Sequence, residues 1–119
     1  MKKVLVVEDL EDLYSRVEKR LHEKVSILWA DSLEKAWSIF EGNPDIDLIV
    51  MDACVHGNKP DSMPLVARIK ESGYGGPIIA WSSSSSGRQA LLKAGATHEV
   101  DKGMGIQEIV DLVLVLLEL

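Results

Sequence analysis

The sequence predicts a single α/β domain, a parallel sheet with helices packed on both faces. Short, continuous apolar runs alternate five times with stretches of helical period. The runs do not alternate polar with apolar, so their strands are buried on both faces, as in parallel sheets. Neighbouring parallel strands need a crossover, and a right-handed helix supplies it. At 119 residues the chain is long enough for one core and too short to divide, so residues 1–119 are read as one domain.

Val4 to Val7 is the first strand, closed by Glu8 and Asp9. Leu13, Tyr14, Val17 and Leu21 then fall at helical spacing and predict an amphipathic helix over 11–23. Val25 to Ala30 is the second strand. Asp31 or Ser32 caps the next helix, whose buried stripe is Leu33, Ala36, Trp37 and Phe40 and whose stop is Gly42, Asn43 and Pro44. The third strand spans 46–52, broken only by Asp47 and closed by Asp52.

Residues 53–60 read as a loop, and Asp61 or Ser62 as the cap of a third helix burying Met63, Leu65, Val66 and Ile69. Pro77 opens the fourth strand, Ile78 to Ser82. The serine run 82–86 reads as a strand end and a loop, followed by a short helix with Ala90, Leu91 and Leu92 and a C-cap at Gly95. Thr97 to Asp101 is the fifth strand, and 105–119 the last helix. Ile106, Ile109, Val110, Val113 and Leu117 face the sheet there, while Leu112, Val115 and Leu119 make a second apolar stripe that suggests a homodimer or a partner. Trp29, Trp37 and Trp81 read as packed residues, with Trp81 beside Ser82 as a reporter of events there.

Hydrophobic residues make up 46% of the chain and charged ones 27%, the balance of a globular protein, and the net charge is −6. That charge argues against sequence-independent nucleic-acid binding and against anionic membranes. A single cysteine excludes an internal disulfide and fits a reducing cytoplasm. Four apolar residues between Lys3 and Glu8 are too few for a signal-peptide core, and no run approaches the roughly 18 apolar residues of a membrane span.

Parallel strands present their carboxyl ends at one edge, so Glu8, Asp9, Asp52, Ser82 and Lys102 are expected together there. Three close carboxylates repel and call for a cation. Hard oxygen donors with room for water suit Mg²⁺. A hydroxyl and an ammonium opposite can hold the oxygens of a phosphoryl group, and a carboxylate such as Asp52 can accept one as an acyl phosphate.

With VLVVED, IDLIVMD, PIIAWSS and VDKG in this order, the chain resembles over its whole length the receiver domains of two-component response regulators, in particular the stand-alone chemotaxis-regulator type. The resemblance implies a flavodoxin-like (βα)5 three-layer sandwich with strand order 2-1-3-4-5. It implies Asp52 as phosphoacceptor, and Mg²⁺ on Asp9, Asp52 and the backbone carbonyl of Cys54, with Glu8 acting through water. Ser82 would bond a phosphoryl oxygen and Lys102 pair with the phosphate, with the N–H groups of Ala53 and Ser83 as further donors. A sensor histidine kinase or phosphotransfer protein would be the donor and a protein the target. The module would not be an enzyme beyond Mg²⁺-dependent self-phosphotransfer and autodephosphorylation. With no output domain expected after Leu119, output would go through a protein partner, or the module would act as a phosphate relay or sink.

Three positions and the length of one segment depart from the family pattern. Gly103 replaces the usual proline after the lysine, and a cis bond to glycine costs about 3 kcal/mol, so a trans bond is expected. Glu99 stands at the usual aromatic position, removing the standard threonine–aromatic switch. His56 stands where proline is common, and the segment from Ser82 to Gly95 is about two residues short, which suggests a small or shifted fourth helix. Glu99, Gly103 and the short fourth-helix segment support an alternative, a pseudo-receiver that signals without phosphate.

Other chemistry finds less support. Cys54 and His56 have no zinc-type spacing, and their simpler reading is a loop histidine with a small, partly buried thiol. The loop after the first strand opens on two acids, which disfavours a flavodoxin phosphate site. Neither a P-loop nor a nucleophile elbow is present.

Overall fold

The computed structural model describes residues 1–119. Strands β1 (Lys3–Val7), β2 (Ser26–Ala30), β3 (Leu48–Met51), β4 (Ile78–Ser82) and β5 (His98–Asp101) alternate with helices α1 (Glu11–Leu21), α2 (Leu33–Gly42), α3 (Met63–Glu71), α4 (Ser85–Ala94) and α5 (Ile106–Leu116). All four strand pairings are parallel and the order is β2-β1-β3-β4-β5, the flavodoxin-like order expected.

Alternate residues of the central strands feed two cores. Leu5, Val7, Ile49, Met51, Ile78 and Ala80 pack with Ala36, Val66, Ile69 and Leu91, which places α2, α3 and α4 on one face. Val4, Val6, Leu48, Val50, Ile79 and Trp81 pack with Val17, Leu21, Ile109 and Val113 of α1 and α5 on the other. Burial on both faces is why these strands read as unbroken apolar runs. Trp29 lies on edge strand β2, stays half-buried, and stacks on Tyr14 with ring centroids 4.6 Å apart. Trp37 is also half-buried, under the Arg68 guanidinium at 3.8 Å.

The third strand is shorter than its apolar run. Asp47 lies outside it, its carboxylate accepting from the Lys3 N–H and its own N–H donating to the Lys3 carbonyl, each at 2.8 Å. That clasp explains an acid inside an otherwise apolar stretch. Asp52 also lies just past the strand, although its N–H still donates to the Val7 carbonyl at 3.1 Å.

The serine run corrects the expected loop. Ser84 is the N-cap of α4, accepting the Gly87 N–H at 3.0 Å, and Ser85 opens the helix. Serine suits a cap better than a helix interior, so the run marks a boundary. Helix α4 has ten residues, as many as α2, and is not the short helix expected. Its end at Gly95 is as expected, with φ of +131°. The outer stripe of α5 is narrower than its spacing suggests. Leu112 packs half-buried against the core, leaving Val115 at 70% and Leu119 at 55% exposed. No helix is long and apolar enough to cross a membrane.

Candidate functional site

The parallel sheet delivers the predicted residues to one edge. Glu8 and Asp9 follow β1, Asp52 follows β3, Ser82 ends β4, and Lys102 follows β5 in a 3-10 turn, Lys102–Met104. Carboxylate oxygens of Glu8, Asp9 and Asp52 all lie within 4.8 Å of one another. A cleft of about 410 Å³ opens above them, lined by Asp9, Leu10, Asp52, Cys54, Gly57, Asn58, Ser82, Ser83, Ser84 and Lys102. Two clefts of similar size, about 400 and 480 Å³, lie along α2 and α3 and share Trp37. They contain none of the predicted residues.

Lys102 is the electrostatic centre. Its Nζ donates to Glu8 Oε1 at 2.6 Å and pairs with Asp52 Oδ1 at 3.2 Å. Glu8 is fully buried, and its second oxygen accepts the Leu10 N–H at 3.1 Å. Burial, then the neighbouring Asp52 charge, pushes the Glu8 carboxyl up to about 7 despite the Lys102 ammonium. Burial also raises Asp52, against the lowering by Lys102. For Lys102 burial favours the neutral amine, but the Glu8 hydrogen bond and the Asp52 charge together outweigh it and hold the group above its ordinary value.

Asp9 is exposed, and Asp52 Oδ1 accepts the Cys54 N–H at 3.3 Å. Ser82, 4% exposed, accepts the Ser84 N–H at 3.1 Å through Oγ. The N–H groups of Ala53 and Ser83 donate no hydrogen bond within the chain, and the Cys54 carbonyl accepts none. Free N–H groups and a free carbonyl beside an acidic cluster fit an anion and a hard cation. The three carboxylates likewise fit a divalent ion with oxygen ligands.

Several residues that build this edge carry roles that their sequence positions do not signal. Asp61 and Ser62, expected as helix caps, hold the loop after Asp52 instead. The Asp61 carboxylate accepts the N–H groups of Val55 and His56, each at 2.8 Å. The buried Ser62 hydroxyl donates to the Asp52 carbonyl at 2.7 Å, with the Ala53 carbonyl at 3.3 Å, and makes no cap bond to α3. The Asp52 carbonyl and the N–H groups of Val55 and His56 lie past the strand end, where the sheet offers them no partner, which is why these side chains turn back; the Ala53 carbonyl also accepts the Asp61 N–H at 2.9 Å. His56 is a loop residue, as expected, with Nε2 accepting the Leu33 N–H at 3.4 Å. Cys54 is half-buried, and desolvation raises its thiol above the ordinary value.

Trp29 donates its indole N–H to the Glu8 carbonyl at 2.8 Å, and Arg88 donates to the Ser82 carbonyl at 2.8 Å. Gly87, in the first turn of α4, is buried against Ala53: a Cβ there would lie 3.0 Å from the Ala53 Cβ. All peptide bonds are trans, including Lys102–Gly103, and the Gly103 N–H donates to Asp101 at 2.8 Å. Only the aspartate's short side chain and a small residue after it could have signalled that turn.

Comparison with known proteins agrees with this geometry. The family model described as response regulator receiver domain matches residues 4–114. The chain belongs to that family, whose members are signalling modules of two-component systems. Its fold is similar to a two-component response regulator from Clostridium difficile, with a TM-score of 0.84 at 21% identity, covering 99% of this chain and 97% of that one. A response regulator receiver protein from Pseudoalteromonas atlantica has a TM-score of 0.83 at 19% identity, covering 98% and 97%. The Vibrio cholerae chemotaxis protein CheY4 has a TM-score of 0.80 at 21% identity, covering 98% of each chain. No curated protein matches the sequence.

Proposed function

We propose that this receiver domain is phosphorylated on Asp52 by a sensor histidine kinase or a phosphotransfer protein and signals through a protein partner. The observation that carries the reading is the convergence at Asp52: a buried carboxylate with Lys102 Nζ at 3.2 Å and two further carboxylates within 4.8 Å. An Asp52 oxygen attacks the phosphorus of a phosphohistidine. The new O–P bond forms as the N–P bond breaks, and the leaving imidazole takes up a proton. Oδ2 of Asp52 accepts no hydrogen bond, so it is the oxygen open to this attack.

Lys102 moves its charge from Asp52 to a phosphoryl oxygen, and Ser82 Oγ turns from the Ser84 N–H to donate to another. The unengaged N–H groups of Ala53 and Ser83 supply further donors. Asp9, Asp52 and the Cys54 carbonyl would hold Mg²⁺, with Glu8 beneath them. When bound, the ion supplies charge neutralisation for the transferring group.

The test is mass spectrometry after incubation with Mg²⁺ and a small phosphodonor. One phosphoryl adduct is expected, lost in Asp52→Asn. An adduct that survives Asp52→Asn would sink the assignment. No adduct at all would favour the second reading, a phosphate-independent interaction module. That reading draws on Glu99, whose carboxylate is engaged by Arg88 and Gln89 where the family's aromatic switch residue stands.

A further inference from the structure

Trp81 is fully buried at the end of β4, opposite Val100 of β5 in the sheet register. Its ring lies under the Lys102 ammonium, with Nζ 4.7 Å from the ring centroid. That is within reach of a cation–π attraction, which strengthens where water is excluded. The Lys102 side chain is only 15% exposed. The indole Nε1, meanwhile, is buried with no hydrogen-bond partner. A tryptophan whose polar handle is unmet is placed for its ring, and the face of that ring meets the lysine.

We infer that Trp81 is a positioning residue for Lys102, holding the ammonium over the Asp52 carboxylate through the face of its indole ring. The inference rests on the reading of Lys102 as the counter-charge to the phosphoryl group. Lysine is a point charge on a flexible four-carbon stem, so its place must be set by neighbours. Two of them, Glu8 at 2.6 Å and Asp52 at 3.2 Å, are carboxylates. Asp52 ceases to be a free carboxylate once it is phosphorylated, and Glu8 pulls the ammonium toward the floor of the site. The Trp81 ring is the neutral member of the set. It attracts the cation without neutralising it and remains in place whatever Asp52 carries.

A double-mutant cycle separates this role from simple core filling. Trp81→Leu and Trp81→Phe are each made alone and with Lys102→Met. Two quantities are read in the full chain: the rate of Asp52 phosphorylation from a small phosphodonor with Mg²⁺, and the metal-free thermal unfolding midpoint. With Lys102 present, Trp81→Leu is expected to slow phosphorylation about tenfold, while Trp81→Phe, which keeps a ring face, stays within about threefold of wild type. In the Lys102→Met background both rate effects shrink, and the drop in midpoint from Trp81→Leu shrinks with them. Equal losses in the two backgrounds, or Phe no better than Leu, would overturn the inference and leave Trp81 a core residue only. If the wild type forms no adduct, the phosphoacceptor reading fails, and the unfolding cycle still decides whether Trp81 and Lys102 are coupled.

Discussion

Arg88 of α4 reaches across to Glu99 of β5, its Nε donating to Oε1 at 2.9 Å, while Nη1 of the same guanidinium donates to the Ser82 carbonyl at 2.8 Å. One side chain thus ties a helix, an edge strand and the residue whose hydroxyl faces the cleft. The Arg88 side chain is 13% exposed and that of Glu99 37%, so the two partners carry different weight. Arg88→Ala is expected to lower stability by about 1–2 kcal/mol, because a largely buried, charge-assisted bond to a carbonyl is lost. Glu99→Gln should cost less than about 1 kcal/mol, as a half-exposed pair. Urea unfolding midpoints measure both, and equal losses would show that the ion pair, not the bond to Ser82, carries the contact.

The Glu8 carboxyl, raised from 4.5 to about 7 by burial, sets a pH dependence for the metal-free protein. Between those values the folded chain keeps a proton that the unfolded chain has released. Stability therefore falls as pH rises through this window, by about 1.4 kcal/mol for each pH unit crossed, or roughly 3 kcal/mol in all. Asp52, also raised by burial, adds in the same direction. Lys102, held above 10.5, contributes stability that is fully present below that value and lost only above the window. Thermal unfolding in a chelator from pH 5 to 8 should show the fall, and saturating Mg²⁺ should reduce it. A chelated protein that gains stability over this range would contradict the assignment.

Asp9 is exposed, so a substitution there tests the proposed metal site apart from folding. Asp9→Asn should leave the unfolding midpoint nearly unchanged and weaken Mg²⁺ binding by about tenfold or more. Calorimetric titration with Mg²⁺ reads the affinity. An unchanged affinity would remove Asp9 from the ligand set.

Ser62 stands at the N-cap position of α3 but serves the Asp52 loop, so it should not tolerate the usual cap substitutes. Ser62→Ala is expected to cost about 1–2 kcal/mol, since the Asp52 carbonyl loses its donor while the Ala53 carbonyl keeps the Asp61 N–H. Ser62→Asp, a good cap, should be worse than alanine, because an ionised carboxylate cannot donate to the Asp52 carbonyl. By contrast Ser32, whose Oγ does accept the Lys35 N–H at 3.1 Å, should accept aspartate with little loss. Denaturant unfolding of the three variants distinguishes these roles.

These cases show where a sequence reaches the physical limit of what it can signal. Strands such as Val4–Val7 and the acids that close them are legible because burial on both faces and the parallel topology act over several residues at once. The roles of Asp61, Ser62, Trp29 and Arg88 are not. Each depends on which backbone N–H or carbonyl is left without a sheet or helix partner after folding, a property no local pattern encodes. The serine run is ambiguous for a related reason: a serine signals a helix boundary and a loop alike, and only the bond from the Gly87 N–H to Ser84 decides. On α5 the outer stripe follows the spacing, but helix packing covers Leu112 and narrows it.

The glycine at the start of α4 has a mechanical side. With 3.0 Å between a would-be Cβ at Gly87 and the Ala53 methyl, nothing soft separates the helix from the residue that follows Asp52. A longer side chain there would act as a cushion, changing rotamer to absorb small displacements. Its lack makes the contact stiff. A shift of Ala53 toward α4 therefore meets helix backbone rather than a side chain that could change rotamer, which ties the loop mechanically to the helix.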